Sequence, residues 1–213
     1  MPQLLESEID QYNDIIDLLS TQGYAVVENF LPTSHIDQLS EIAKSNWVNG
    51  NMVSAKTGKT NLKNQSIRGD YITWLDEYSD IPAVKAYFQS MHQLRQVLNQ
   101  QLYMNLQELE THLALYPVGS VYQKHLDQFS HGDVSKIQHR QLSAILYLNK
   151  YWTDQNGGEL RLYLNELEYL DFLPSEGRLL LFLSAKFWHE VRPANRERMS
   201  LTGWFRTRSD RLI

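Results

Sequence analysis

Apolar positions recur with a helical period through the first half of the chain and with a strand period through the second. Leu4, Leu5, Ile9, Tyr12, Ile15, Ile16, Leu18 and Leu19 fall on one helical stripe, and Gly23 stands just past its end. Tyr24–Phe30 is strand-like and stops at Leu31-Pro32. Thr33 or Ser34 is placed to cap a second helix, with Ile36, Leu39, Ile42 and Ala43 on its apolar face. Pro82 opens a third helical pattern, in which Val84, Tyr87, Phe88, Met91, Leu94, Val97, Leu98 and Leu102 face one way. Between the last two, Gly50–Gln65 is rich in Gly, Asn, Lys, Ser and Thr. It predicts a mobile loop or loose hairpin rather than a domain boundary.

After residue 105 short β-rich runs alternate with turn signals. They are Leu113–Tyr116 before Pro117-Val118-Gly119, Leu142–Leu148, Glu159–Leu164 after Asn156-Gly157-Gly158, Arg178–Leu183 after Glu176-Gly177, and Met199–Phe205. This spacing predicts a sandwich or barrel, with the earlier helices packed against one side, and hence an α+β fold. At 213 residues the chain suits one well-packed domain and is short for two. Residues 1–104 then read as mainly helical support plus the loop, and 105–213 as the β core.

Composition narrows the function. A net charge of -5 offers no clustered basic surface to grip nucleic acid. There is no cysteine, so disulfides, thiolate metal sites and cysteine nucleophiles are excluded, and a reducing cytoplasm is the expected setting. The first twenty residues carry acids and no basic side chain, the wrong charge for a secretory signal or transit peptide. The longest apolar run, Leu179–Leu183, is too short to span a bilayer, so no membrane partner is expected.

The chemistry-bearing residues lie late in the chain. His125, Asp127 and His189 supply two imidazoles and a carboxylate, the facial ligand set of non-heme Fe(II) oxygenases. His-x-Asp alone is weak: with 7 His in 213 positions a match arises by chance about 0.4 times. His131-Gly132-Asp133 is indeed a second one, in a polar loop. His125 and Asp127 are preferred because i, i+2 puts both on one face of an extended segment after Val121-Tyr122. A loop-edge His–Asp hydrogen bond and a packed histidine beside Trp188 fit the same residues.

Arg198 changes the balance. It opens a strand in which Ser200, Thr202 and Trp204 share its face. No acid occurs between Met199 and Arg208, and an inward arginine without an anion is costly. A bound dicarboxylate provides that anion, and the planar guanidinium suits a carboxylate. Arg192, Arg196 and Arg206 read as surface charges on an edge strand.

Several segments carry a family resemblance. They are Ile67-Arg68-Gly69-Asp70-Tyr71-Ile72-Thr73-Trp74, Tyr116-Pro117, Tyr122 through Asp127, Tyr147-Leu148-Asn149-Lys150 with Trp152, Gly157 through Arg161, and His189-Glu190-Val191-Arg192-Pro193 through Arg198. On these, from about Tyr24 to Phe205, the chain resembles the prolyl-hydroxylase branch of the Fe(II)/2-oxoglutarate dioxygenases, notably the hypoxia-inducible-factor prolyl hydroxylases and their bacterial relatives. It departs from them between Asp127 and Tyr147, where the usual Asn-Pro-rich stretch is missing. It also lacks the animal enzymes' zinc-finger region, which points to a compact bacterial type.

The resemblance implies a double-stranded β-helix (jelly roll) with supporting N-terminal helices. It implies Fe(II) held by His125, Asp127 and His189, with no further catalytic residue, and 2-oxoglutarate bound by Arg198, Tyr147, Thr202 and Tyr116. Arg68, Asp70, Tyr122, Arg140 and Trp204 would contact substrate, with Gly50–Gln65 as a flexible arm. Aromatic packing is the other reading of Tyr116, Tyr147 and Trp204, and a solvated charge that of Arg140. The implied reaction is hydroxylation of a prolyl residue in a protein, elongation factor Tu being one candidate, with O2 as co-substrate and ascorbate in support. A small-molecule or free-amino-acid substrate, and a non-enzymatic jelly-roll binding module, are the alternatives.

Overall fold

The computed structural model describes residues 6–55, 66–128 and 140–207, and of residues 6–9 only the backbone. Helix α1 (Glu6–Thr21) buries Tyr12, Ile15 and Leu19 along one stripe. It ends where Gln22 and Gly23 N–H groups both donate to Leu18 O, with Gly23 at φ 87°. Strand β1 (Tyr24–Val27) follows at once. Helix α2 (Thr33–Val48) buries Ile36, Leu39 and Ala43, as the pattern predicts. Its expected cap at Thr33 or Ser34 is absent. Pro32 stands at the cap, no side chain bonds there, and the His35 and Ile36 N–H groups donate to Pro32 O. Proline's fixed φ sets the entry without a hydroxyl. Helix α3 (Pro82–Leu102) begins at its proline and stops at Tyr103, which adopts φ 52°.

Two antiparallel sheets carry the remainder. The larger joins β1 to β2 (Val53–Ser54), β3 (Tyr71–Trp74), β4 (Glu108–Tyr116), β6 (Arg140–Tyr147), β9 (Leu179–Leu183) and β11 (Arg198–Arg206). Its spatial order is β1-β9-β6-β11-β4-β3-β2. The smaller runs from β5 (Tyr122–His125) through β10 (His189–Val191) and β7 (Leu160–Tyr163) to β8 (Tyr169–Phe172). The sheet is therefore not confined to residues beyond 105: three of its strands come from the first half. Strand β11 lies at its centre, between β4 and β6, so Arg206 is no edge residue. Its Nη1 donates to Glu110 Oε2 at 3.0 Å.

Strand alternation builds two cores. Leu113, Leu115, Leu142, Ala144, Leu146, Leu179, Leu181, Met199, Leu201 and Phe205 point to the helices and form one cluster with them. The alternate residues point the other way. Ile145, Tyr147, Leu180 and Phe182 pack there against Leu160 and Leu162 of the smaller sheet. Helices, large sheet and small sheet thus form three layers, and the polar residues of interest lie between the sheets. Among the described residues no helix is long and apolar enough to cross a membrane. Residues 56–65 of the expected flexible arm, and the His131-Gly132-Asp133 match, lie outside the described residues.

Candidate metal centre

His189 lies directly opposite His125 across the β10–β5 pairing. Asp127 falls two residues beyond the end of β5, in a bend, so the two predicted ligands do not share one regular strand. They converge nevertheless. Asp127 Oδ1 is 3.6 Å from His125 Nε2, and Oδ2 is 3.6 Å from His189 Nε2. All three donor atoms lie within 4.8 Å of one another. Two donors at right angles on a metal with ~2.1 Å bonds stand about 3 Å apart, so a small contraction fits an ion here.

Each ligand is aimed by a second contact. His125 Nδ1 lies 2.7 Å from Gln123 O, and His189 Nδ1 lies 3.2 Å from Phe187 O. A ring that donates through Nδ1 leaves Nε2 as the ligating atom. The Ser143 hydroxyl donates to Asp127 Oδ2 at 2.6 Å and pairs with Ser184. Burial pushes the Asp127 carboxyl up, but His189, His125 and the Ser143 bond outweigh it and hold the group well below the usual range.

Arg198 is 2% exposed, inside the sheet sandwich. Its Nε donates to Gly158 O at 2.9 Å, and its guanidinium carbon is 5.1 Å from the ring centroids of both Tyr116 and Tyr147. Among the described residues neither Arg198 Nη2 nor the Tyr147 hydroxyl, both buried, has a hydrogen-bond partner. A buried cation with an unused donor beside an unused phenol calls for an anion, and a carboxylate satisfies both. These orphaned atoms fit 2-oxoglutarate as the triad fits Fe(II).

Gly158 makes this approach possible. It adopts φ 74°, and a Cβ there would stand 2.9 Å from Ala194 Cβ and 3.4 Å from Arg198 Cδ. Gly158→Ala is expected to cost about 1–3 kcal/mol in urea unfolding, from backbone strain and crowding, and to weaken 2-oxoglutarate binding in titration calorimetry.

The central cavity is lined by His125, Asp127 and His189 with Arg68, Asp70, Tyr116, Tyr122, Arg198, Thr202 and Trp204. Arg68 makes two bonds to Asp70, at 2.7 and 3.0 Å. Arg140 lies outside this lining. It stacks 3.6 Å over Trp204 and bonds Glu110, so it backs the cavity wall.

One lining residue escapes the motif reading. His112 is 1% exposed, lies between Trp74 and Trp204, and among the described residues has no partner for either ring nitrogen. It pairs with Thr202 across β4–β11. Counting back by twos from Tyr116 puts it on the same face, a signal the sequence did contain. Burial, then Arg68, lowers its pKa to about 3; burial, then His125, lowers that of His189 to about 4. Both values lie below the unfolded one near 6.5, so on acidification the unfolded chain gains protons that the folded metal-free chain does not. Metal-free protein is expected to lose stability as pH falls from 6.5 to 4, by up to about 1.4 kcal/mol per pH unit per histidine. Asp127 keeps its charge through that window. Urea midpoints against pH should show His112→Met flattening the slope by one proton.

The sequence pattern of the 2OG-Fe(II) oxygenase superfamily matches residues 111–206. The chain is 39% identical to a Pseudomonas putida prolyl-4-hydroxylase of known structure, with TM-score 0.82, over 92% of this chain and 99% of that one. A Trichoplax adhaerens prolyl hydroxylase, solved with a hypoxia-inducible-factor oxygen degradation domain peptide, gives TM-score 0.84 at 26% identity, over 96% and 94% of the two chains. The hypoxia-inducible factor prolyl hydroxylase of Caenorhabditis elegans is 30% identical over 92% of this chain, and human Egl nine homolog 1 is 29% identical over 90%. The chain spans 28% and 45% of the lengths of these two.

Proposed function

The chain belongs to the 2OG-Fe(II) oxygenase superfamily, and we propose that it is a dioxygenase that hydroxylates a prolyl residue in a cytoplasmic protein, consuming 2-oxoglutarate and O2 and releasing succinate and CO2. The whole chain then acts as one catalytic domain, its two sheets being those of a double-stranded β-helix. The observation that carries the reading is the buried Arg198, which lines the cavity that also holds the His125–Asp127–His189 cluster and whose Nη2, like the neighbouring Tyr147 hydroxyl, has no hydrogen-bond partner among the described residues.

In this reading His125, Asp127 and His189 hold Fe(II), and Arg198 with Tyr147 holds the distal carboxylate of 2-oxoglutarate. When bound, the metal and co-substrate supply the oxidising power that turns a C–H bond into C–OH. The protein's work is positional. Gln123 O and Phe187 O fix the imidazole tautomers. Ile145, Leu160 and Val191 line the same cavity with apolar surface that excludes water. Thr202 and Tyr116 lie beside the co-substrate site, while Arg68, Asp70, Tyr122 and Trp204 face the substrate, with Arg140 stiffening Trp204. The likeness to two prolyl hydroxylases over nearly their full solved chains supports prolyl over small-molecule hydroxylation.

Purified protein with Fe(II), ascorbate and 2-oxoglutarate should form succinate. Mass spectrometry of cells with and without the chain should reveal a proline gaining 16 Da, elongation factor Tu being the first protein to inspect. Absence of succinate under every condition, with His125→Ala indistinguishable from wild type, overturns the reading.

A further inference from the structure

Tyr122 and His125 are three residues apart, a spacing that puts side chains on opposite faces of a regular strand. Their rings nevertheless stack, with centroids 3.6 Å apart and planes 18° from parallel. The cause is a register shift. His189 pairs with His125 and Val191 with Tyr122, so two steps on β10 face three on β5. That is a β-bulge, and the extra residue turns Tyr122 onto the side of His125.

Tyr122 is in turn held by the segment before β3. Arg68 forms an antiparallel bridge with Tyr122, Gly69 N–H donates to Val121 O at 2.9 Å, and Gln123 N–H donates to Ile67 O at 2.8 Å. Residues 67–69 thus lie as a short added strand along β5. The Arg68 guanidinium carbon is 4.7 Å from the Tyr122 ring centroid, and Asp70, 1% exposed, grips that guanidinium with both oxygens. Burial opposes the charge on Arg68, and Asp70 outweighs it, so Arg68 stays charged. Asp70 O also accepts from Ala55 N–H, tying the lock to the edge of the large sheet. Contacts run without a gap from Asp70 through Arg68 and Tyr122 to His125.

We propose that Tyr122 is a positioning residue for His125, and that the Arg68–Asp70 pair, acting through Tyr122, sets how tightly the metal is retained. This rests on the reading of His125 as a metal ligand. An imidazole held at Cβ and through Nδ1 still rocks about its Cβ–Cγ bond, and a ring stacked on its face narrows that motion. A ligand already aimed gives up less freedom when the ion binds. The segment whose side chains face the substrate is then also a brace for the metal site, so displacing it from β5 loosens the ion.

The test is metal release. Metal-free protein is loaded with Co(II) and mixed with excess chromogenic chelator. Tyr122→Leu is expected to release Co(II) about 10-fold faster than wild type with an altered visible spectrum, and Tyr122→Phe within about twofold of it. The double variant Arg68→Met/Asp70→Asn, which leaves no buried unpaired charge and keeps Tyr122, is expected to release severalfold faster. A wild-type rate and spectrum in Tyr122→Leu overturns the positioning role, and a wild-type rate in the double variant overturns the lock. If circular dichroism shows Tyr122→Leu unfolded, Tyr122→Met takes its place, and a wild-type rate and spectrum there overturns the positioning role. His125→Ala separates this inference from its premise. If it retains Co(II) like wild type, the metal assignment itself falls; if it loses Co(II) while Tyr122→Leu does not, only the inference falls.

Discussion

Asp127→Ala is expected to abolish metal retention and to reduce succinate formation by at least about 100-fold, more than the loss of any residue behind a ligand costs. The carboxylate lies between two imidazoles, 3.6 Å from each Nε2, and is the only anion of the cluster. Without it two neutral nitrogens face a divalent ion with nothing to offset its charge. The fold should survive, because Asp127 is 7% exposed in the bend after β5 and its removal frees a small space beside Ser143. Ser143 keeps a partner in Ser184, 2.8 Å away. Asp127→Glu is a sharper probe. It keeps the charge but pushes it one methylene into a cluster packed by Phe182 and Tyr122 against the two histidines, so Co(II) affinity should fall while net charge stays fixed. Titration of metal-free variants with Co(II), with melting curves alongside, checks both halves. Wild-type affinity in Asp127→Ala removes the carboxylate from the ligand set.

What the sequence revealed of this arrangement, and what it hid, follows from how locally each feature is encoded. The three helices were legible because their apolar stripes are long: α3 alone repeats its period from Val84 to Leu98. The long strands were legible for the same reason. Strands β2, β3, β8 and β10 were not, since each has two to four residues and several of those are polar or charged. Such strands exist because neighbours pair with them, and pairing is a tertiary fact. The inward face of β11 could be read from Arg198, Ser200, Thr202 and Trp204, but its central place could not. Arg206 finds its partner Glu110 on β4, 96 residues away. His112 and Ser143 lie within reach of period-two counting from Tyr116 and Tyr147, but neither belongs to a motif. The bulge in β5 had no sequence signal at all, being visible only in the unequal pairing with β10.

Arg198→Met is expected to act in opposite directions on stability and on binding. The guanidinium is buried and donates one bond to Gly158 O, and its Nη2 has no partner among the described residues. No carboxylate of the described protein pairs with it. Its face-on contacts with Tyr116 and Tyr147 recover part of the desolvation cost, but not what a carboxylate would. Methionine has a similar reach, is apolar, and suits a pocket already walled by two tyrosines. Urea unfolding of the metal-free variant should therefore show stability unchanged or raised, by about 1–3 kcal/mol. In the proposed binding mode the same change removes the guanidinium that would pair with the distal carboxylate of 2-oxoglutarate. Breaking such a buried, hydrogen-bonded charge pair costs about 3–5 kcal/mol, so the KM for 2-oxoglutarate should rise by about 100-fold or more. Arg198→Lys should fall between, keeping charge but not the planar fork. A protein selected only to fold has no reason to keep the less stable residue. If Arg198→Met instead unfolds the chain and leaves 2-oxoglutarate binding intact in the fraction that folds, then Arg198 is structural and the co-substrate site lies elsewhere. A rise in stability together with a loss of 2-oxoglutarate binding is the outcome that only an arginine held ready for an absent anion produces.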